Sequence, residues 1–441
     1  MNAKDFITLL DAKAREKGIE LFQISFHEEK NFEIQVLEQE VVKQVSEQAQ
    51  ALDFSVVVNG RRGKAASNGR FTAEDADFLI AEALENSAAQ EIDEAFFLFP
   101  GGASYHTVKP FCSDMAQFEK LDAAAYLREA ERLAYAYDTR IERVLAAYAY
   151  RIEQKAVLRN SLGLDLCHEK HLAAAALNLR IKDGSRYKNA GDMVFFDKDE
   201  DFSAETLVRK AVSRVLPKIG ARDVMPGRVN VVFENRAFCD VLQVISEIFG
   251  AYEAEQGYCQ FKGKIGQKVA SPLVTLSDEP WLEGGMESRA YDAEGVPTCP
   301  KFLIKDGVLS NMLYNLSMAE KHGVKSGGNA AGGLATQVFN LKFAPGKISR
   351  EQLLRQAGQG VFVTSLAGVN VGVSLVSGDF SFGAEGFAIE GGKLGAALNQ
   401  FTLSGNIYAL LEGISAVADD VFCYKKAVAP SVLASGVCTA A

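Results

Sequence analysis

The chain has 441 residues, 48% hydrophobic and 24% charged, the balance of a soluble globular protein with a normal core and, on length, about three domains. Lys plus Arg total 47 against 57 Asp plus Glu, a net charge of −10, and basic residues stand only in pairs such as Arg61-Arg62 and Lys425-Lys426. A surface that tracks phosphates needs a basic excess on one face, so direct nucleic-acid binding is disfavoured, and no window is apolar for long enough to span a membrane.

The N-terminal MNAKDFITLLDAKAREKG is amphipathic and carries acids, unlike a signal peptide. It predicts a helix from Asp5 to Lys17, with Phe6, Leu9, Leu10 and Ala14 on one face and Gly18 as its stop. Strands are expected at Glu20 to His27, Phe32 to Leu37 and Phe54 to Val58, the last followed by the type I′ hairpin signal Asn59-Gly60. Thr72 opens a second helix, with Asp75 three residues on and Ala76, Leu79, Ile80 and Ala83 as its apolar face. Residues 90 to 116 lack periodicity, contain Phe99-Pro100-Gly101-Gly102, and read as a linker. The order then repeats: a helix over Leu121 to Tyr137, strands at Ile141 to Arg151, Lys155 to Asn160 and His171 to Ile181, a turn at Gly163, a hairpin at Asp183-Gly184, and a helix after Ser203.

The second half opens with a buried strand, Val229 to Phe233, and a helix from Arg236 to Gly250. Short strands near Lys268 to Leu276, a hairpin at Asp306-Gly307, a capping box at Ser349 to Gln352, a helix from Ser404-Gly405 to Val417, and a closing strand from Pro430 to Val437 complete it. The run from Gly358 to Asp420 alternates apolar stretches with glycines, the pattern of buried strands joined by tight turns. The expected fold is α+β: two helix–antiparallel-strand–helix repeats, residues 1–105 and 106–225, then a Gly-rich, mostly antiparallel β domain with helices, 226–441.

No complete active site emerges from the residues alone. His168-Glu169-Lys170-His171 has the wrong spacing for a helical zinc motif and lies in strand-like sequence, where residues three apart point to opposite faces; solvated strand-end histidines are expected. The seven cysteines are scattered without a CxxC, which fits reduced thiols in a cytoplasm. No nucleophile elbow is present. Gly327 to Gly333 lacks a GK[ST] and reads as a flexible loop, while Asp278-Glu279 and Asp419-Asp420 read as solvated turn acids. Gly378-Asp379-Phe380-Ser381-Phe382-Gly383 reads locally as a turn whose Asp and Ser bond nearby amides.

Several segments carry a resemblance: Gly263 to Ala270, Val274 to Asp278, Ser326 to Asn329, Asn340-Leu341 with Pro345-Gly346, Ser377 to Ala384 with Gly386, Ile389-Glu390, Ser404 to Asn406, and Ala429 to Leu433. On these the chain resembles the TldD/PmbA family over nearly its whole length, and more closely the PmbA (TldE) branch, named as candidate modulators of DNA gyrase. The resemblance implies a metallopeptidase complex that trims small, unfolded peptides, in which a TldD-type subunit carries an HExxxH zinc motif and a cysteine nearer its C-terminus. Counting back without gaps from Gly263 to Gln267, that motif falls on Leu242-Gln243-Val244-Ile245-Ser246-Glu247, where both histidines and the catalytic-type Glu are missing. The resemblance therefore implies a non-catalytic subunit with no cofactor of its own, zinc only in a TldD-type partner, and an unfolded peptide as substrate of the pair. Gly378, Asp379, Phe380 and Ser381 are the candidate residues beside a peptide channel. Cys423 stands near the family's cysteine without its sequence context, and Ala396 to Asn399 and the tail depart from the PmbA pattern. The alternative is a stand-alone homodimeric peptide-binding or scaffold protein.

Overall fold

The structure, a computed structural model, describes residues 1–69, 71–90, 98–197 and 201–440. The chain divides into two units, Met1–Ser104 with Cys112–Pro217, and Tyr105–Phe111 with Lys218–Ala441. The fold is α+β, as the interleaved helix and hairpin signals predict.

The first unit runs α1 (Ala3–Glu16), β1 (Leu21–Leu37), β2 (Glu40–Val58), β3 (Arg61–Ser67), α2 (Ala73–Ala89), α3 (Met115–Lys120), α4 (Ala123–Tyr137), β4 (Ile141–Asn160), β5 (Asp165–Asp183), β6 (Arg186–Phe195) and α5 (Ala204–Val215). Its strands form one antiparallel sheet, β3-β2-β1-β4-β5-β6, so the two repeats meet edge to edge at β1 and β4. The local signals act as expected. Thr72 and Asp75 form a reciprocal capping box, and Asn59 and Gly60 take φ of 50° and 75°, as a type I′ turn requires. Phe22, Ile24 and Phe26 of β1 and Leu52, Phe54 and Val56 of β2 bury beneath Phe6 and Leu10 of α1 and Leu79 and Ile80 of α2.

The strands are longer than expected. Glu20 to His27 and Phe32 to Leu37 are parts of one 17-residue strand, and Ile141 to Arg151 and Lys155 to Asn160 of one 20-residue strand. The polar residues between them stay extended because neighbours on both sides hold their backbone: Glu29 pairs with Ala49 and with Gln154. Of the expected linker, residues 91–97 lie outside the described residues. Tyr105–Phe111 is fastened to the second unit: the Tyr105 hydroxyl donates to Gly295 O (2.9 Å), Phe111 N–H donates to Gly285 O (3.1 Å), and His106 stacks on Trp281 at 4.0 Å.

The second unit contains β7 (Gly227–Phe233), α6 (Asn235–Ile245) with a 3-10 turn at Ser246–Phe249, α7 (Ala251–Glu255), β8 (Leu276–Asp278), β9 (Lys301–Lys305), β10 (Val308–Leu309), α8 (Leu316–His322), β11 (Ala330–Gly332), β12 (Ala335–Thr336), β13 (Leu341–Phe343), α9 (Arg350–Ala357), β14 (Gly360–Ala367), β15 (Asp379–Glu390), β16 (Lys393–Asn406), α10 (Ile407–Glu412), β17 (Ile414–Val417), β18 (Phe422–Tyr424), β19 (Ala427–Ala429) and β20 (Val432–Ala440). The order β16-β15-β14-β7-β20 closes on itself because β16 also pairs with β20; only β7 and β14 run parallel in this barrel. Val231, Phe233, Val363, Phe382 and Leu403 share a core with α6, while Val232, Phe362 and Leu433 turn the other way onto Leu353 and Leu354 of α9. A second sheet, β10-β9-β8-β13-β19-β18, is mixed.

Two expectations here fail. Lys268 to Leu276 is mostly irregular, with Val269, Ala270 and Val274 buried as loop residues and regular pairing beginning at Leu276. Ser404 to Val417 is not one helix: β16 continues to Asn406, α10 spans only Ile407–Glu412, and β17 follows. Ser404 and Gly405 are held by β15, through pairing with Ser381 and Phe380, and that ladder prevails over a local helix start. Among the described residues no helix is long and apolar enough to cross a membrane.

Candidate functional site

Gly378 to Ser381 forms the entry to β15. Gly378 has φ +84°, and a Cβ there would lie 2.4 Å from Tyr408 Cδ2, so only glycine fits. Strand alternation then splits the rest. Phe380 and Phe382 point into the core and stack with centroids 4.7 Å apart, while Asp379 and Ser381 are exposed. Asn406 locks the corner. Its Nδ2 donates to Asp379 Oδ1 (3.0 Å) and Ser377 O (2.8 Å), and its Oδ1 caps α10 by accepting from Tyr408 N–H and Ala409 N–H. Hydrogen bonds from Asn406 and Ser377 hold the Asp379 carboxyl below its ordinary range. The Tyr408 hydroxyl donates to Leu375 O (2.9 Å) and accepts from Gln260 N–H (3.0 Å); burial pushes it up to about 12. Gln260 Nε2 in turn donates to Val376 O and Ser377 O, so the loop before β15 is stitched from two sides. Val371 and Val376 on that loop nevertheless stay 88% and 56% exposed.

The helix where the resemblance places a zinc motif is α6. Ser431, fully buried, accepts from Asn235 N–H at the start of α6 (3.1 Å) and donates to Asp420 Oδ2 (2.7 Å), so the tail segment Pro430 to Val432 anchors the helix. Asp420 is thus half-buried and bonded rather than solvated, while Asp419 is exposed as expected. Leu242 is fully buried in the core. The Gln243 amide donates to Asp240 Oδ1 (3.2 Å) and Cys239 O (3.4 Å), and Glu247 is exposed on the 3-10 turn. These side chains do not fit a zinc ion: Leu242 offers no ligand atom, and one outward carboxylate does not make a site. Among the described residues no group of three or more His, Cys, Asp or Glu is placed to hold a metal. Cys423 is on β18, which packs with β19 against α6. Burial, with the neighbouring Cys423 and Asp240, pushes the Cys239 thiol up to about 12, so it stays a thiol and bonds Ala427 O (3.6 Å).

A buried polar cluster, not anticipated, gathers three of the segments that carry the resemblance. Asp278 is fully buried rather than solvated. It accepts from Asn329 Nδ2 (2.6 Å) and Phe339 N–H (2.9 Å) and faces Lys301 Nζ at 3.5 Å. Lys301 Nζ also donates to Asn329 Oδ1 (2.6 Å) and Gly327 O (2.9 Å). Burial raises the Asp278 carboxyl and Lys301 opposes it. The loop expected to be flexible at Gly327 to Gly333 is therefore packed at its start: Asn329 is fully buried, and a Cβ on Gly328 would meet Pro297 O at 2.4 Å. Asp292 accepts three backbone N–H bonds, from Glu294, Val296 and Ala330, yet burial still pushes it up to about 6. Asn340 bridges Glu279 O and the Ser288 hydroxyl, each at 2.9 Å. The available signal was that Asp278, Asn329 and Asn340, short polar residues in apolar surroundings, recur in the segments that carry the resemblance.

In the first unit, His171 does not end a strand. It lies within β5, its Nδ1 buried without a hydrogen-bond partner, beside a pocket of about 470 Å³ also lined by Cys112, Asp114 and Glu153.

An α+β chain with a closed barrel packed on a buried helix matches two metallopeptidase profiles, the PmbA/TldA metallopeptidase central domain over residues 114–217 and the PmbA/TldA metallopeptidase C-terminal domain over 226–440. The chain belongs to the PmbA/TldD metallopeptidase family. It is 30% identical over 211 residues to the metalloprotease PmbA of Escherichia coli O157:H7, covering 47% of this chain and 45% of that one. The chain spans about half the length of the curated relatives it matches. Its fold is similar to that of a candidate modulator of a DNA gyrase from Thermotoga maritima, at TM-score 0.90 and 26% identity with both chains fully covered. TldE from Thermococcus kodakarensis shares the fold at TM-score 0.83 and 22% identity, covering 98% of this chain and 100% of that one.

Proposed function

We propose that this chain is the non-catalytic, PmbA/TldE-type subunit of a zinc peptidase, cytoplasmic, acting on small unfolded peptides together with a TldD-type subunit that carries the zinc. The observation that carries this reading is α6: at the positions where the resemblance places the zinc motif, this chain has a core leucine, an amide bonded within its own helix and an outward carboxylate. That helix is built for packing, with Ala237, Phe238, Val241, Leu242 and Ile245 all buried. The seven free cysteines agree with a reducing compartment.

The chain's own contribution is then shape. Asp379 and Ser381 face outward from a corner that Asn406 and Gln260 make rigid, and the exposed Val371 and Val376 beside it offer apolar contact to an extended peptide whose side chains vary. Gly378, Asp379, Phe380 and Ser381 form a channel wall in this reading, with Phe380 as its anchor in the core.

The test is direct. The purified chain is assayed for bound zinc and for cleavage of an unfolded peptide, with and without a TldD-type subunit. Zinc-free, inactive protein that raises cleavage when the partner is added is the expected result. Cleavage and stoichiometric zinc in the chain alone overturn it, and failure to associate with any TldD-type subunit favours the stand-alone scaffold.

A further inference from the structure

We propose that the outer edge of β2, from Glu40 to Ala51, is a self-association surface on which a second copy of this chain adds its own β2, antiparallel and centred on Val45. β3 covers β2 only from Leu52 to Val58. Among the described residues nothing pairs with the remaining run on that side. The run would extend about 40 Å at the usual rise of a strand, and unpaired backbone of that length is a template for another strand. Edge strands are commonly blunted by prolines, bulges or clusters of lysine. This one contains neither proline nor glycine, and its charges are Glu40, Lys43 and Glu47 alone. Its one bulge lies at the turn end, near Val41. Nearly all its side chains are exposed, Val41 and Val42 at 38% and 54%.

The three charges select the occupant and the register. Two antiparallel copies of one strand in a continuous sheet are related by a two-fold axis normal to the sheet, and opposed residues then point to the same face. Centring the axis on Val45 puts Lys43 of each copy opposite Glu47 of the other, Val45 opposite Val45, and Gln44 opposite Ser46. Lys43 already contacts Glu33 of β1 at 3.0 Å, so each half of the seam would carry a row of Glu33, Lys43 and the second copy's Glu47. Moving the centre to Lys43 sets Lys43 against Lys43, and moving it to Glu47 sets Glu47 against Glu47. Centres on Gln44 or Ser46 leave charges opposite Val45. Opposed unlike charges favour one cross-strand register and like charges oppose the alternatives.

The surface lies wholly in the N-terminal sheet, and the inference does not depend on the peptidase reading. The experiment measures the mass of the full chain in solution by sedimentation across a dilution series. The wild type is expected to form a two-chain species. Lys43→Glu, an exposed position, is expected to weaken that species about tenfold or more while the chain stays folded by circular dichroism. Adding Glu47→Lys to Lys43→Glu exchanges the paired charges and is expected to restore association. Ser46→Pro, which removes an N–H that points away from β1 toward the seam, is expected to abolish it. A single-chain mass for the wild type throughout overturns the proposal. So does a two-chain species that resists both Lys43→Glu and Ser46→Pro, or one that Glu47→Lys fails to rescue.

Discussion

Asn406 Nδ2 donates to Asp379 Oδ1 at 3.0 Å, joining the last residue of β16 to the first of β15. The same side chain caps α10, so one residue sets a strand start, a loop carbonyl and a helix start together. We expect Asn406→Ala to destabilise the chain by about 1–2 kcal/mol, most of it from the cap. The denaturant midpoint should fall with its slope unchanged. Gly378→Ala, which meets both a positive φ and the Tyr408 ring, should cost at least ~1 kcal/mol more than a surface substitution.

Lys301 and Asp278 form a buried pair whose value is asymmetric. Lys301→Met leaves the fully buried Asp278 with only its bonds from Asn329 and Phe339, and should cost about 3–5 kcal/mol. Replacing both with apolar residues of similar volume should cost clearly less than the two single changes combined. A double-mutant cycle in urea measures the difference.

Asp292 gives the stability a defined dependence on pH. Its folded value, about 6, lies above the ordinary 3.8 of an aspartate because burial outweighs three amide donors. The group therefore adds stability that is fully present below about 3.8 and lost as pH rises through about 6, by up to ~3 kcal/mol. The stability of the wild type relative to Asp292→Asn should fall across that interval and level off above it. A flat difference from pH 4 to 7 would contradict the assigned cause.

Two positions where the resemblance places a zinc motif should behave in opposite ways. Leu242→Ala opens a cavity in the core and should cost about 2–5 kcal/mol. Glu247→Ala, at an exposed site, should stay within about 0.5 kcal/mol and, in the proposed pair with a TldD-type subunit, leave zinc content and cleavage unchanged. Loss of zinc in Glu247→Ala would make this carboxylate a ligand.

Val371 tests the channel wall. At 88% exposure, Val371→Asp should alter stability by no more than about 0.5 kcal/mol. If the loop before β15 touches the peptide, KM for an unfolded peptide should rise in the assembled pair; an unchanged KM would remove the loop from the channel.

Local chemistry was legible residue by residue. The capping boxes at Thr72 and Ser349, the hairpins at Asn59-Gly60 and Asp306-Gly307, and the buried helix that begins near Arg236 stand where composition and spacing put them. So does membership of the family, because its segments are short contiguous runs. All of these depend on neighbours a few residues apart, which is the range over which a sequence speaks for itself. Tertiary structure decided the rest. Polar residues such as Glu29 remain in a strand because β2 and β4 flank them, and Ser404 stays extended because β15 holds it. Asp278 looked like a surface acid until Lys301, Asn329 and Phe339, all distant in sequence, closed around it. Hydrogen-bond partners of strands and the burial of a charge are set by what arrives from far along the chain, and no local pattern of residues encodes that arrival.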